Sequence, residues 1–379
     1  MKDLLKKLIY SIFRCMPIKK ERILFFSYYG EYYSGGPKYI SEYIEKNKKR
    51  KIEINWAFVN PDQKNSISDN VKKIKYGGLK YYYILATAQI IITNYRMTLE
   101  FKKREKQVYF QTWHGSLALK AIEKDAQDKL TEHYIEMAKK DSKQMDYLIC
   151  GNEFYKNIFE QSFWYEGNVL NIGTPQCDIL VNQDETIKKK VYDHFNLSYD
   201  IKIALYAPTF RANYKTEIYK FEYEKIIDLL NEKTNDNWVL LIRLHPHLIN
   251  MVDSIIYDKN ILQASQYDEM QELLSVSDLL ITDYSGIMFD YALTRKPCIL
   301  YVPDLDEYIK TDRKLYFNVE DLPFEIARTE KELQNRIIEF DKERYKEGVN
   351  YFLKETIQSV DDGKACERIF EKIQEIIEI

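Results

Sequence analysis

Short apolar runs alternate with helically spaced apolar positions along most of the chain. Arg22-Ile23-Leu24-Phe25-Phe26-Ser27 is a continuous apolar run, the pattern of a strand buried on both faces. It leads into residues 28–37, where Gly30, Gly35 and Gly36 make a flexible turn, then a helix over 39–48 and a strand over 52–59. An apolar helix over 81–88 precedes the strand Ile90-Ile91-Ile92-Thr93. Strands over 108–113, 146–152 and 169–173, with a helix over 154–161, complete the first half. The second half restarts the alternation with strands over 201–206 and 238–242, helices over 221–230 and 270–276, and a short apolar pair at 261–262. Leu279-Leu280-Ile281 then ends in the hydroxyl-rich turn Thr282-Asp283-Tyr284-Ser285-Gly286. Residues 287–293 have helical spacing, Lys296-Pro297 stops them, and 298–302 is a further buried strand. This alternation predicts parallel α/β sheets.

The first 22 residues stand apart. Leu4, Leu5, Leu8, Ile9, Ile12, Phe13 and Met16 fall on one helical face, and seven cations stand against Asp3 and Glu21, a net of +5. Such a basic amphipathic helix suits an anionic membrane surface. The same face would equally pack on the first domain. At 379 residues the chain exceeds one usual core. The expected division is 1–22 as membrane-association helix, 23–190 and 191–360 as two α/β domains, and 361–379 as a C-terminal helix.

Hydrophobic content of 45% and charged content of 30% fit a globular protein, and a net charge of −3 gives no basic field for nucleic acid. Five cysteines without CxxC spacing point to a reducing compartment and away from a disulfide frame or zinc knuckle. No apolar run reaches the ~18 residues of a transmembrane helix, and no cleavable signal is evident.

Candidate chemistry gathers at strand ends, where parallel sheets hold ligands. Gln111-Thr112-Trp113-His114-Gly115-Ser116 places a histidine there, the side chain suited to proton transfer near neutral pH. In the second half, Thr209 and Arg211 follow one strand, and Arg243, His245 and His247 another. Asp283, Ser285 and Gly286 follow a third. Arginine binds phosphate oxygens bidentately, and a turn into a helix aims N–H groups at an anion. Asp283 or Asp290 could accept from ribose or polyol hydroxyls. His245-x-His247 with an aspartate resembles metal-ligand spacing, but Pro246 intervenes and no third ligand has a recognised spacing, so no metal is expected. There is no GxSxG elbow for a serine hydrolase and no GxGxxG dinucleotide fingerprint.

QTWHGS at 111–116, YAPTFR at 206–211, RLHPH at 243–247 and TDYSGIMFDYALTRKPCILY at 282–301 together resemble the CDP-glycerol glycerophosphotransferase family of teichoic acid and capsule synthesis. Asn171–Pro175 followed by Asp178 fits as well. The resemblance implies a GT-B fold, two Rossmann-like domains facing a cleft, with the acceptor on the first and CDP-glycerol or another CDP-polyol on the second. It implies His114 as base and His245 as partner of the donor phosphates. Thr282, Asp283, Ser285 and Gly286 would hold donor phosphates and hydroxyls, and Gly115, Lys120, Thr209, Arg211, Arg243, His247 and Asp290 would line the substrates. It implies no cofactor and a peripheral place on the cytoplasmic face of the cell membrane. The acceptor would be a lipid-linked glycan or a polyol phosphate, and the chain is little more than the catalytic unit, which tilts toward a single addition. The chain departs from the family pattern in Gln176-Cys177, in Ala212-Asn213, in Ser116-Leu117 after WHG, and in TDYSG where TDYSS is frequent. A sugar-nucleotide glycosyltransferase on the same fold and a catalytically degenerate membrane-bound assembly protein are the alternatives.

Overall fold

The computed structural model describes residues 2–63, 67–211, 219, 221–244 and 257–378. The chain forms two compact units. Met1–Ser116, Ile122–Asp178 and Ser359–Ile379 make the first, and Leu117–Ala121 with Ile179–Gln358 the second.

In the first unit β1 (Lys19–Phe26), β2 (Glu53–Phe58), β3 (Lys72–Lys75), β4 (Ala88–Thr93), β5 (Val108–Gln111), β6 (Tyr147–Cys150) and β7 (Asn168–Asn171) form one sheet. Its order is β3-β2-β1-β4-β5-β6-β7, with every pairing parallel. β1 and β4 are central. Ile23, Leu24 and Phe25 pair with Ile90, Ile91 and Ile92, and all six side chains are buried. A strand covered by helices on both faces must be apolar at every position, which is why both read as unbroken apolar runs. β3, KKIK, is an edge strand whose lysines keep it from further pairing.

The second unit repeats the plan with β8 (Lys202–Tyr206), β9 (Trp238–Ile242), β10 (Ile261–Gln263), β11 (Leu279–Thr282), β12 (Cys298–Tyr301) and β13 (Glu325–Ala327). The order β10-β9-β8-β11-β12-β13, all parallel, is the doubly wound arrangement, reversing between β8 and β11.

In the first helix of the first unit, α1 (Lys2–Phe13), Tyr10 is buried, its ring 6.3 Å from Tyr82, and Phe13 lies 5.6 Å from Tyr83. α2 (Gly35–Asn47) begins four residues before the periodicity predicts, because Pro37 sits in its first turn, where a missing N–H costs nothing. Tyr82 and Tyr83 belong to α3 (Leu79–Thr87), so α1 packs on α3, while Leu8 and Ile12 on α1 and Met16 just after it remain exposed. No described helix is long and apolar enough to cross a membrane.

The units divide at 178/179 and 358/359, against the 190/191 and 360/361 expected from pattern. Hydrogen bonds, which periodicity does not encode, set these borders. The Asp178 carboxylate accepts from the N–H groups of Ala365 and Cys366 and so caps the last helix, Ala365–Glu378, onto the first unit. Likewise Ala121 N–H donates to the Lys314 carbonyl, which assigns 117–121 to the second unit.

Candidate active site

In each unit the strand order reverses at a point where the carboxyl ends of two central strands open a crevice, and ligands of such sheets bind there. In the first unit that point lies between β1 and β4, and β5 adjoins it. After β5 the chain turns at Trp113, whose φ is 51°. A bulky residue in the left-handed region costs roughly 1–3 kcal/mol. Three contacts hold it. Gln111 Oε1 accepts from Trp113 N–H at 3.0 Å, Thr112 Oγ1 donates to the Trp113 carbonyl at 3.2 Å, and the buried indole packs edge-on to Phe163 at 4.6 Å. The turn buries the indole and exposes the next residue, His114.

His114 Nδ1 lies 3.2 Å from the Asn94 carbonyl oxygen, at the end of β4. A carbonyl only accepts, so the neutral ring carries its proton on Nδ1 and Nε2 is the basic nitrogen. Trp113 lies 4.0 Å away and Tyr95 stacks at 5.6 Å. Gly115 is half-buried, and the Ser116 carbonyl accepts from Asn152 Nδ2 at 2.9 Å.

Beneath this turn is a buried ion network that the sequence does not announce. Arg96 donates to Glu123 at 2.7 Å, Asp141 at 3.2 Å and Ser142 Oγ at 2.8 Å. Its guanidinium lies 4.3 Å from the Phe163 ring centre and 5.6 Å from that of Trp113. The partners of Arg96 lie 27 and 45 positions further along, and no local spacing marks them.

In the second unit the reversal lies between β8 and β11, and the two chains leaving it are tied together. Thr282 Oγ1 donates to the Ala207 carbonyl at 2.7 Å. Asp283 is buried and accepts from Thr209 N–H at 2.8 Å, Thr209 Oγ1 at 2.5 Å and Tyr284 N–H at 2.6 Å. Arg211 faces Asp283 at 3.0 Å and Asp304 at 2.8 Å, with the Tyr284 and Tyr308 rings at 4.7 and 5.0 Å. Burial pushes the Asp283 carboxyl above the usual range, with Arg211 opposing. Burial also acts upward on Asp304, but its hydrogen bond and charge contact with Arg211 win and hold it below.

Of the residues expected on the substrates, Thr209, Arg211, Thr282 and Asp283 are thus gathered at one point, with their polar atoms engaged mainly with one another. A phosphate bound bidentately by Arg211 would displace a carboxylate. Ser285 and Gly286 are half-buried at the mouth of this turn, Ser285 Oγ 3.5 Å from Ile287 N. Asp290 sits elsewhere. It is buried on the helix Ile287–Ala292 and accepts from Gln271 Nε2 at 2.7 Å, a packing position where it faces no open surface. Lys120 donates to Tyr308 Oη at 2.8 Å and faces Asp312 at 3.8 Å, and burial lowers its pKa. Arg243 donates to the Tyr267 carbonyl at 2.5 Å, anchoring the loop after β10. His245 and His247 lie outside the described residues.

Two departures from the family pattern meet here. A Cβ added at Gly286 would stand 2.9 Å from the Leu117 carbonyl oxygen. Glycine at 286 admits the Leu117 backbone. Among the described residues no group of three His, Cys, Asp or Glu could hold a metal ion.

Parallel α/β units of this order, with polar turns at their reversal points, define a GT-B-like fold of the kind that handles nucleotide-linked substrates. The chain belongs to the CDP-glycerol:poly(glycerophosphate) glycerophosphotransferase family, whose sequence profile matches residues 8–375. It is similar to the teichoic acid poly(glycerol phosphate) polymerase of Staphylococcus epidermidis, 35% identical over 373 residues, which are 95% of this chain and 51% of that protein. The teichoic acid glycerol-phosphate transferase of Staphylococcus aureus is 28% identical, covering 98% of both chains. The solved wall teichoic acid polymerase TagF superposes with a TM-score of 0.85 at 32% identity, covering 98% of this chain and 94% of that one. The chain therefore spans about half the length of the first of these relatives and nearly all of the second.

Proposed function

We propose that this protein transfers glycerol phosphate from CDP-glycerol to a hydroxyl of a membrane-linked glycan or polyol-phosphate acceptor, in teichoic acid synthesis. The observation that carries the reading is His114, exposed at the end of β5 with Nδ1 on the Asn94 carbonyl. Nε2 takes the proton of the acceptor hydroxyl as its oxygen attacks the phosphorus bearing the glycerol. The bond from that phosphorus to the bridging oxygen breaks, and CMP leaves with the electron pair. Charge on the transferring group calls for fixed donors, and such chemistry rests on positioning and electrostatics. Ser285, Gly286 and Thr209 are the residues proposed for the donor phosphates, and the family resemblance alone assigns Arg243, His245 and His247 to the same ligand. Arg211 and Asp283 hold that turn in shape.

The protein works at the membrane surface. Leu8 and Ile12 are exposed one turn apart on α1, and Met16 is exposed just beyond its end, with exposed Lys7 and Lys19 nearby, which suits insertion among anionic headgroups. Tyr10 and Phe13 hold the helix on the first unit.

The test is CMP release from CDP-glycerol by the purified protein with a membrane extract as acceptor. His114→Ala should lower turnover by about 100-fold or more, the usual worth of a general base. Undiminished release in a folded His114→Ala protein would remove the role.

A further inference from the structure

His114 stands at the end of a run of tyrosine rings on the first unit. Tyr95 stacks on its imidazole at 5.6 Å and 27°, and Tyr28 lies 6.4 Å from it. Tyr28 and Tyr29 contact Tyr95 at 5.6 and 4.6 Å, and Tyr32 contacts Tyr28 at 5.9 Å. Tyr32 is 42% exposed, and Tyr28, Tyr29 and Tyr95 are half-buried. We propose that these four tyrosines are the acceptor subsite, a stacking surface for a neutral pyranose ring of the acceptor glycan. The proposal rests on the reading of His114 as base.

The backbone indicates that the rings themselves are wanted. Tyr28 and Tyr29 both have positive φ, 46° and 54°. Glycine or asparagine would make that turn with less strain. Two consecutive tyrosines in the left-handed region cost roughly 1–3 kcal/mol each, and what they add over glycine is two rings against Tyr95, of which Tyr28 also reaches His114.

Charge separates the two acceptor chemistries. Segments 27–38, 94–98 and 111–116 carry these rings and the His114 turn, and the lysines and arginines within them are Lys38 and Arg96. Lys38 is 4% exposed and lies over the Tyr39 and Tyr33 rings. Arg96 is 1% exposed and bonded to two carboxylates. A polyol phosphate carries a negative charge at every repeat and calls for arginine or lysine at the surface. A neutral sugar offers C–H groups to ring faces and hydroxyls to phenols, the dual character that tyrosine matches. Asn94 joins subsite to base, since its Oδ1 accepts from Tyr28 N–H at 3.1 Å and its carbonyl faces His114 Nδ1.

The experiment measures CMP release against acceptor and donor concentration separately, with the membrane extract as acceptor, for wild type, Tyr32→Ala, Tyr32→Phe and Tyr95→Ala. Two competitors are added in turn: glycan freed from the same extract by mild acid, and a glycerol phosphate oligomer. The expected result is a rise of about tenfold in the half-saturating acceptor concentration for both alanine variants, a loss near 1.4 kcal/mol. Half-saturation by CDP-glycerol stays unchanged, and Tyr32→Phe, which keeps the ring and loses the hydroxyl, falls between wild type and Tyr32→Ala. The glycan should compete better than the oligomer in wild type and lose that advantage in Tyr32→Ala. Competition by the oligomer alone, a shift in donor half-saturation instead, or unchanged kinetics in the folded variants would each overturn the subsite. Absence of CMP release by wild type would instead strike the transferase reading.

Discussion

Each unit buries one arginine under the turn that carries its candidate chemistry. Arg96 is set between Glu123 and Asp141 and lies over the rings of Trp113 and Phe163. Arg211 is set between Asp283 and Asp304 and lies over the rings of Tyr284 and Tyr308. The difference lies in where the carboxylates come from. Asp283 belongs to the turn of the second unit, so arginine and turn are one hydrogen-bonded body. Glu123 and Asp141 are remote from the Trp113-His114 turn, and Arg96 supports it through the face of an indole. A carboxylate beside an imidazole favours the imidazolium, which cannot accept a proton. In the first unit these two carboxylates are spent on Arg96 behind Trp113, and His114 is steered by a carbonyl and by stacked rings. One unit builds its turn out of the ion network, and the other lays the network as a floor beneath a turn of different chemistry.

The largest effect comes from deleting either arginine. Arg211→Ala leaves Asp283 and Asp304 without their cation, and Arg96→Ala does the same to Glu123 and Asp141. Breaking a buried pair this way costs about 3–5 kcal/mol. Urea unfolding should show that loss in both variants. Lysine should not rescue either, because one ammonium cannot span two carboxylates in the guanidinium's geometry. A loss under about 1 kcal/mol in one variant alone, the size of an exposed pair, would mean that the likeness between the networks is only geometric.

Proton linkage sharpens the contrast. Burial pushes the Asp141 carboxyl up to about 6, with Arg96 opposing. A carboxyl raised in the native state adds stability that is full below its unfolded pKa, near 4, and is lost as pH rises through 6. Wild type should therefore lose up to about 3 kcal/mol relative to Asp141→Asn between pH 4 and 7. Asp304 has the opposite sign. Arg211 holds it below the usual range against its burial, so its contribution is present above the unfolded pKa and fades as pH falls. Thermal melts against wild type should diverge in opposite directions, for Asp141→Asn as pH rises from 4 to 7 and for Asp304→Asn as pH falls below about 4.

The sheets are legible in the sequence because their central strands are buried on both faces, as β1, β4, β8 and β11 are. β3 and β13 escape the pattern, since KKIK and EIA are short edges with few apolar positions. The turns at His114 and at 282–286 are legible as polar clusters ending apolar runs. The work of Arg211 is not. The motif reveals the residue, but Asp304, 93 positions later, decides what it holds. Arg96 is invisible for the same reason. Local pattern encodes burial and turn chemistry, whereas the counter-ions of a buried charge are chosen by the tertiary fold.

The smallest expected effects lie at two glycines, one per unit. A Cβ at Gly36, in the first turn of α2, would stand 2.8 Å from Thr112 Cβ and Oγ1, the residue before Trp113. A Cβ at Gly286 would stand 2.9 Å from the Leu117 carbonyl oxygen. Overpacking of this size costs about 1–3 kcal/mol, so both alanine variants should fold with lowered melting temperatures. Their kinetics should differ. Thr112 is a side chain that can change rotamer, and the move passes to Trp113, whose strained φ sets the direction of His114. Gly36→Ala should thus lower turnover while leaving half-saturation by CDP-glycerol in place. The Leu117 carbonyl is backbone, and relief at Gly286 moves the Ser285 turn instead, so Gly286→Ala should raise the CDP-glycerol requirement more than it lowers turnover. The same kinetic change in both variants would mean that the clash spreads through its unit as general strain, and that the two turns do not have the separate duties the arginine networks suggest.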